Sequence, residues 1–138
     1  MREVDFVDVT YNNDDYMSVF IGVCESESLL EEYMEKDYDL LDDYCIGFEL
    51  GVDFVINTYD EDFMVRVVHD KSSTDIDEVF KDAEVFDLSI LKKQYPNGFD
   101  QPYNAVVVIG RMKYEGDITE VHNEKFGYFK FLGIFNEE

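Results

Sequence analysis

One stretch limits the fold more than any other: Ala105-Val106-Val107-Val108-Ile109, the longest uninterrupted apolar run in the chain. It is the length of a strand and far too short to span a bilayer. A strand sends alternate side chains to opposite faces, so a run that is apolar on both faces belongs in the middle of a sheet. The pattern predicts a central strand at Ala105–Met112.

Other segments supply neighbours for it. Met17–Val23 places Met17, Val19, Ile21 and Val23 on one face and Phe20 on the other, with Gly22 allowing close backbone approach or a bend. Phe63–Val68 and Tyr128–Phe135 alternate in the same way and read as strands. Val4–Tyr11 is expected to add an edge strand that turns at Asn12-Asn13-Asp14-Asp15, while Lys113–Gly127 carries no assignable pattern. Val107, Ile109, Phe131, Val65 and Ile21 are the expected core.

Helices are expected between these strands. Ser28 with Glu31 three residues on is a capping-box pattern opening a helix to about Lys36. On it Leu29, Leu30, Tyr33 and Met34 share one face, and Glu27, Glu31, Glu32 and Glu35 point to water. Asp37 to Asp43 reads as an acid-rich connector, followed by a short helix Tyr44–Leu50 stopped at Gly51. Further helices are expected from Thr74 to about Asp82 and from Leu88 to Gln94, the latter ended by Pro96-Asn97-Gly98. The order of elements implies one α+β domain over 1–138, a single antiparallel or mixed sheet of four to five strands with helices packed on it. A chain of 138 residues is the size of one domain and buries about two-thirds of its extended surface.

Charge is the second constraint. The chain holds 33 acidic and 11 basic residues, a net charge of −22. Residues 1–62 carry 19 acids and 2 bases, while residues 63–138 carry 14 and 9, so the excess sits in the N-terminal half. Aromatic content of 16% sets this chain apart from a disordered acidic tail. Nucleic acid and anionic membranes need a basic footprint and are excluded as expected partners; a basic protein is favoured. Acids at Glu3 and Asp5 break the N-terminus before any apolar run, so no export leader is expected. Cys24 and Cys45 then read as free thiols in a reducing cytoplasm.

No catalytic pattern emerges. His69 and His122 lack metal-ligand spacing, and the chain has neither a nucleophile elbow nor a phosphate-cradling glycine loop. Asp37, Asp39, Asp42 and Asp43 do not match a calcium-loop spacing. Asp60-Glu61-Asp62 could chelate a divalent cation only weakly. No cofactor is expected, and the chain reads as a binder, not an enzyme. The acids form a solvated face or a protein-binding face. Tyr33, Tyr38, Tyr44 and Tyr59 are interleaved with them. Tyrosine buries large area at low entropic cost, which suits an interface. Tyr33 shares helical spacing with Leu29 and Met34 and is expected in the core, whereas Tyr38 and Tyr59 lie beside acids in expected loops. The candidate partner-binding set is Glu31, Glu32, Glu35, Asp37, Tyr38, Asp39, Asp42, Asp43, Tyr59, Asp60, Glu61 and Asp62.

A strand ending in Phe20-Ile21-Gly22 is followed by the acidic helix Leu29-Leu30-Glu31-Glu32-Tyr33, and later by Tyr59-Asp60-Glu61-Asp62-Phe63 leading into a strand. In these features, over about residues 16–135, the chain resembles the immunity protein 22 family of bacterial polymorphic toxin systems, although that family typically has Trp where Phe20 stands. The resemblance implies an α+β domain retained in the toxin-producing cell that binds and neutralises a cognate toxin. Such toxins are often nucleases with basic substrate surfaces, in keeping with the acidic excess counted above. The alternative is an acidic adaptor or nucleic-acid mimic acting on another basic protein. The oligomeric state is open.

Overall fold

The computed structural model describes residues 3–8 and 11–136. Its strands are β1 (Asn12–Val23), β2 (Met64–Ser73), β3 (Tyr103–Met112), β4 (Glu120–Asn123) and β5 (Gly127–Asn136). They form one antiparallel sheet in the order β2-β3-β1-β5-β4. The helices are α1 (Glu27–Met34), α2 (Tyr38–Asp42), α3 (Glu49–Phe54), α4 (Ile76–Val79) and α5 (Ser89–Gln94), with a 3₁₀ turn at Glu61–Phe63. The fold is α+β. No described helix is long and apolar enough to cross a membrane.

The apolar run is interior because helices cover both sides of the sheet. Ala105, Val107 and Ile109 of β3 join Phe20 and Phe129 under Leu30, Tyr33 and Met34 of α1 and Leu50 and Phe54 of α3. Val106 and Val108 join Met17, Val19 and Ile21 under Ile76 and Val79 of α4 and Leu91 of α5. Each valine buried in this way contributes about 1.5–3 kcal/mol over an exposed one. Val107, Ile109 and Ile21 are buried as expected, whereas Val65 and Phe131 are half-buried. Val65 lies on edge strand β2, and Phe131 lies just past Lys130, where its neighbour β4 ends.

Buried polar groups are satisfied locally. The Ser18 hydroxyl donates to the Met112 carbonyl at 3.0 Å and accepts from the Tyr114 N–H at 2.9 Å. The Asn104 side chain accepts from the Cys24 N–H at 2.9 Å and donates to the Cys24 and His69 carbonyls at 2.8 and 3.1 Å. Gly22 does serve close approach: a Cβ there would lie 2.1 Å from the Tyr128 carbonyl oxygen.

Several sequence expectations need correction. Val4–Tyr11 forms no strand among its described residues; Asp5 makes an isolated bridge to Cys45, and Val9 and Thr10 lie outside the described residues. Asn12–Asp15 belongs to β1 and is not a terminal turn. Its turn-forming residues instead interrupt the β3 ladder, where Asn12 faces Met112 but Met17 faces Gly110. The first helix is capped by Ser26, whose hydroxyl accepts from the Leu29 N–H, and not by Ser28. Asp37–Asp43 is not a connector but contains α2, capped by the Asp37 carboxylate. The helix expected at Tyr44–Leu50 is displaced to Glu49–Phe54 and runs through Gly51; its C-cap is Val55, at φ 65°. Gly51 is retained for space, since a Cβ would meet the Ile56 carbonyl oxygen at 2.4 Å. The segment without a pattern, Lys113–Gly127, supplies β4.

Candidate partner-binding site

The site is built from α1 outward. With Leu30, Tyr33 and Met34 buried, helical periodicity leaves Glu27, Glu31, Glu32 and Glu35 in water, and all four are exposed. The chain then folds back against Gly47, whose carbonyl accepts from the Asp37 N–H at 2.7 Å, and starts α2. The Asp37 carboxylate accepts from the Asp39 and Leu40 N–H groups at 3.0 and 3.2 Å. Asp60 caps the 3₁₀ turn in the same fashion, accepting from the Asp62 N–H at 3.1 Å. Caps of this type stabilise a helix start by about 0.5–2 kcal/mol, so these two acids have structural duties as well.

Two shallow hollows meet at this face. The larger, about 590 Å³, is lined by Glu32, Glu35, Lys36, Asp37, Tyr38, Asp39, Glu49 and Lys125. The smaller, about 270 Å³, is lined by Glu31, Met34, Glu35, Lys36, Tyr38, Tyr59, Glu61, Met64 and Arg66. Glu35, Lys36 and Tyr38 are shared and form the rim between them. Tyr38 is 58% exposed, and its hydroxyl donates to Glu61, a bond that raises the phenol's pKa above its ordinary value.

Two of the cations here, Lys36 and Lys125, are held inside the cluster. Lys36 lies 3.8 Å from Glu61 and 4.7 Å above the Tyr59 ring, with only 12% of its side chain exposed. Lys125 pairs with Glu32. The face therefore presents carboxylates around an exposed tyrosine, a surface suited to a cationic protein.

Tyr59 corrects an expectation. It is 6% exposed and packs edge-on against Phe48 at 4.8 Å, while its hydroxyl donates to the Met34 carbonyl. Burial pushes its pKa well up. Its ring forms the floor of the smaller hollow and is no loop anchor. The structure thus gathers Glu31, Glu32, Glu35, Asp37, Tyr38, Asp39 and Glu61 around the two hollows. Asp42, Asp43, Asp60 and Asp62 are exposed but line neither hollow. Glu49, Lys36 and Lys125 were missed in the sequence, since nothing local marks them. Tyr44 was passed over as an anchor candidate, yet it is 75% exposed and edge-on to Phe6 at 6.1 Å. Asp42 and Asp43 directly before it were the available signal.

Elsewhere, His69 Nε2 lies 3.0 Å from the Val79 carbonyl and His122 packs on Tyr128. Cys24 and Cys45 are both free, and burial pushes the Cys24 thiol up. Among the described residues no three His, Cys, Asp or Glu side chains are grouped to hold a metal ion.

Compared with known proteins, residues 17–138 match a family model described as Immunity protein 22. No curated protein and no solved structure matches the chain.

Proposed function

The chain belongs to the Immunity protein 22 family, and we propose that it neutralises its cognate toxin through the acidic face of α1, α2 and the 3₁₀ turn. The toxin is basic, in the manner of a nuclease, and the complex forms in the cytoplasm of the toxin-producing cell as part of a polymorphic toxin system. The chain acts by occupying the toxin's cationic surface and carries out no reaction itself. One observation supports this reading above the others: the carboxylates of Glu31, Glu32, Glu35, Asp37, Asp39 and Glu61 converge around exposed Tyr38.

The physical case is steering and anchoring. Concentrated negative charge raises capture rates for a basic partner, and its reach is about 8 Å at physiological salt. Tyr38 offers the large, low-entropy contact that holds a complex once formed. Asp42, Asp43, Asp60 and Asp62, exposed beside this face, extend the field.

The test is co-expression with the product of the adjacent reading frame, then co-purification and a neutralisation assay. A stoichiometric complex that abolishes toxicity is expected. Capture of a basic protein without toxic activity would replace this reading with the acidic adaptor.

A further inference from the structure

The sheet has two edges, and they are unlike. β4 is four residues long, short enough to offer little to a stray strand. β2 runs for ten residues, Met64–Ser73, with neither Gly nor Pro in it. It pairs with β3 on one side only. Among the described residues, no backbone group from Met64 to Val68 bonds to anything beyond β3. Residues Met64 to His69 are all half-buried, so the strand is neither covered nor fully solvated. A long, unpaired, apolar edge is a template for another strand, and proteins normally blunt it. The only lysine on β2, Lys71, lies beyond this stretch.

The flanks say what would fit. On the α1 side, Met64 and Arg66 share the smaller hollow with Glu31, Glu35 and Glu61. Lys36 is already committed there to Glu61 and the Tyr59 ring. Along that side three carboxylates, Glu31, Glu35 and Glu61, therefore face two cations, Lys36 and Arg66. On the other face, Val65 and Val67 pack against the second core and are half-exposed. A strand's side chains alternate between the same two environments.

We propose that the open edge of β2 takes up an extended segment of the toxin in which basic side chains alternate with apolar ones, adding a sixth strand to the sheet. This rests on the toxin-binding reading above and names the kind of segment that binds. Backbone hydrogen bonds supply the pairing. Glu31, Glu35 and Glu61 receive the basic side chains, and Val65 and Val67 receive the apolar ones.

The probe is a soluble alternating lysine–valine peptide, with an alternating glutamate–valine peptide as control and amide hydrogen exchange as readout. At millimolar lysine–valine peptide, exchange over Met64–His69 slows about tenfold, as for an edge paired about nine-tenths of the time. The glutamate–valine peptide leaves it unchanged, and E31K/E35K abolishes the slowing. No slowing on β2, equal slowing by both peptides, or slowing on β4 instead overturns the proposal. The same amides are then followed in the purified toxin complex. A neutralising complex with β2 unprotected sinks the strand addition and leaves the proposed function standing. Failure to form any toxin complex sinks the function, whatever the peptide does.

Discussion

The two faces of the sheet are packed alike and charged differently. Each has a buried cluster under short helices, one beneath α1 and α3, the other beneath α4 and α5. On the second face lysines stand among the acids: Asp77 of α4 pairs with Lys92 of α5 at 2.9 Å, Asp75 and Asp87 lie near the same lysine, and Lys93 follows. On the first, Glu31, Glu35, Asp37 and Asp39 crowd around Tyr38, and Lys36 and Lys125 are engaged by Glu61, Tyr59 and Glu32. Crowded like charge costs stability. The proposed interface lies on the face that bears this cost.

The largest expected effect tests that difference directly. Reversing Glu31, Glu32 and Glu35 to Lys should slow toxin association at low salt by about 10–1000-fold, with much of the gap closing at high salt. Reversing Asp75, Asp77 and Glu78 changes net charge equally on the second face and should slow it far less. Stopped-flow association rates at two ionic strengths decide the matter. Equal losses would mean that overall charge, and not this face, does the steering.

Next in size is a contrast within the site. Tyr59→Ala removes a buried ring beneath the smaller hollow and should cost about 3 kcal/mol or more in urea unfolding. Tyr38→Ala should change stability by no more than about 0.5 kcal/mol. Its effect should appear in faster dissociation of the complex. A Tyr38 variant that dissociates like wild type would remove it from the interface.

The phenols allow an alkaline test. Burial raises Tyr114 to about 12 and pushes Tyr59 up as well. A raised folded pKa means the native state holds its proton longer than the unfolded chain does. Stability is therefore full below about pH 10, the unfolded tyrosine value, and is lost as pH rises towards the folded one. Chemical denaturation at increasing pH should show this fall, and Tyr114→Phe should make it shallower. An unchanged slope in that variant would show that Tyr114 does not contribute.

The smallest effects concern helix ends on the first face. Val55 sits at φ 65°, a left-handed conformation that a β-branched residue resists. Val55→Gly should add about 1 kcal/mol by relieving it. Ser26→Ala should cost about 1 kcal/mol, and Ser28→Ala little, because only Ser26 caps α1. Thermal melts of the three variants rank them.

The pattern of what could be read in the sequence follows from the range of the forces. β1 and β3 are legible because covering both faces demands apolar residues at successive positions, as in Val106 and Val107. The exposed stripe on α1 is legible because helical geometry turns Glu31 and Glu35 outward once Leu30 and Met34 turn inward. Residues 37–59 are not, because contacts that no periodic pattern records decide them. Gly51 ends no helix since the Ile56 carbonyl crowds it, and Tyr59 is buried because Phe48 and Met34 receive it. β4 has one half-buried apolar residue, Val121, and exists through its pairing with β5.

The place of β1 in the sheet bears on when this protein becomes able to act. The strand precedes both its neighbours by a long stretch of chain: Phe20 faces Val107 on one side and Phe131 on the other. Closing loops of that length before any pairing is gained makes folding slow, on the order of milliseconds to seconds. Until β3 and β5 arrive, α1 has no sheet to lie on, and its acids are displayed by a chain without a core. The acidic face of α1 is therefore set in place only when the last long strand of the chain, β5, has joined the sheet.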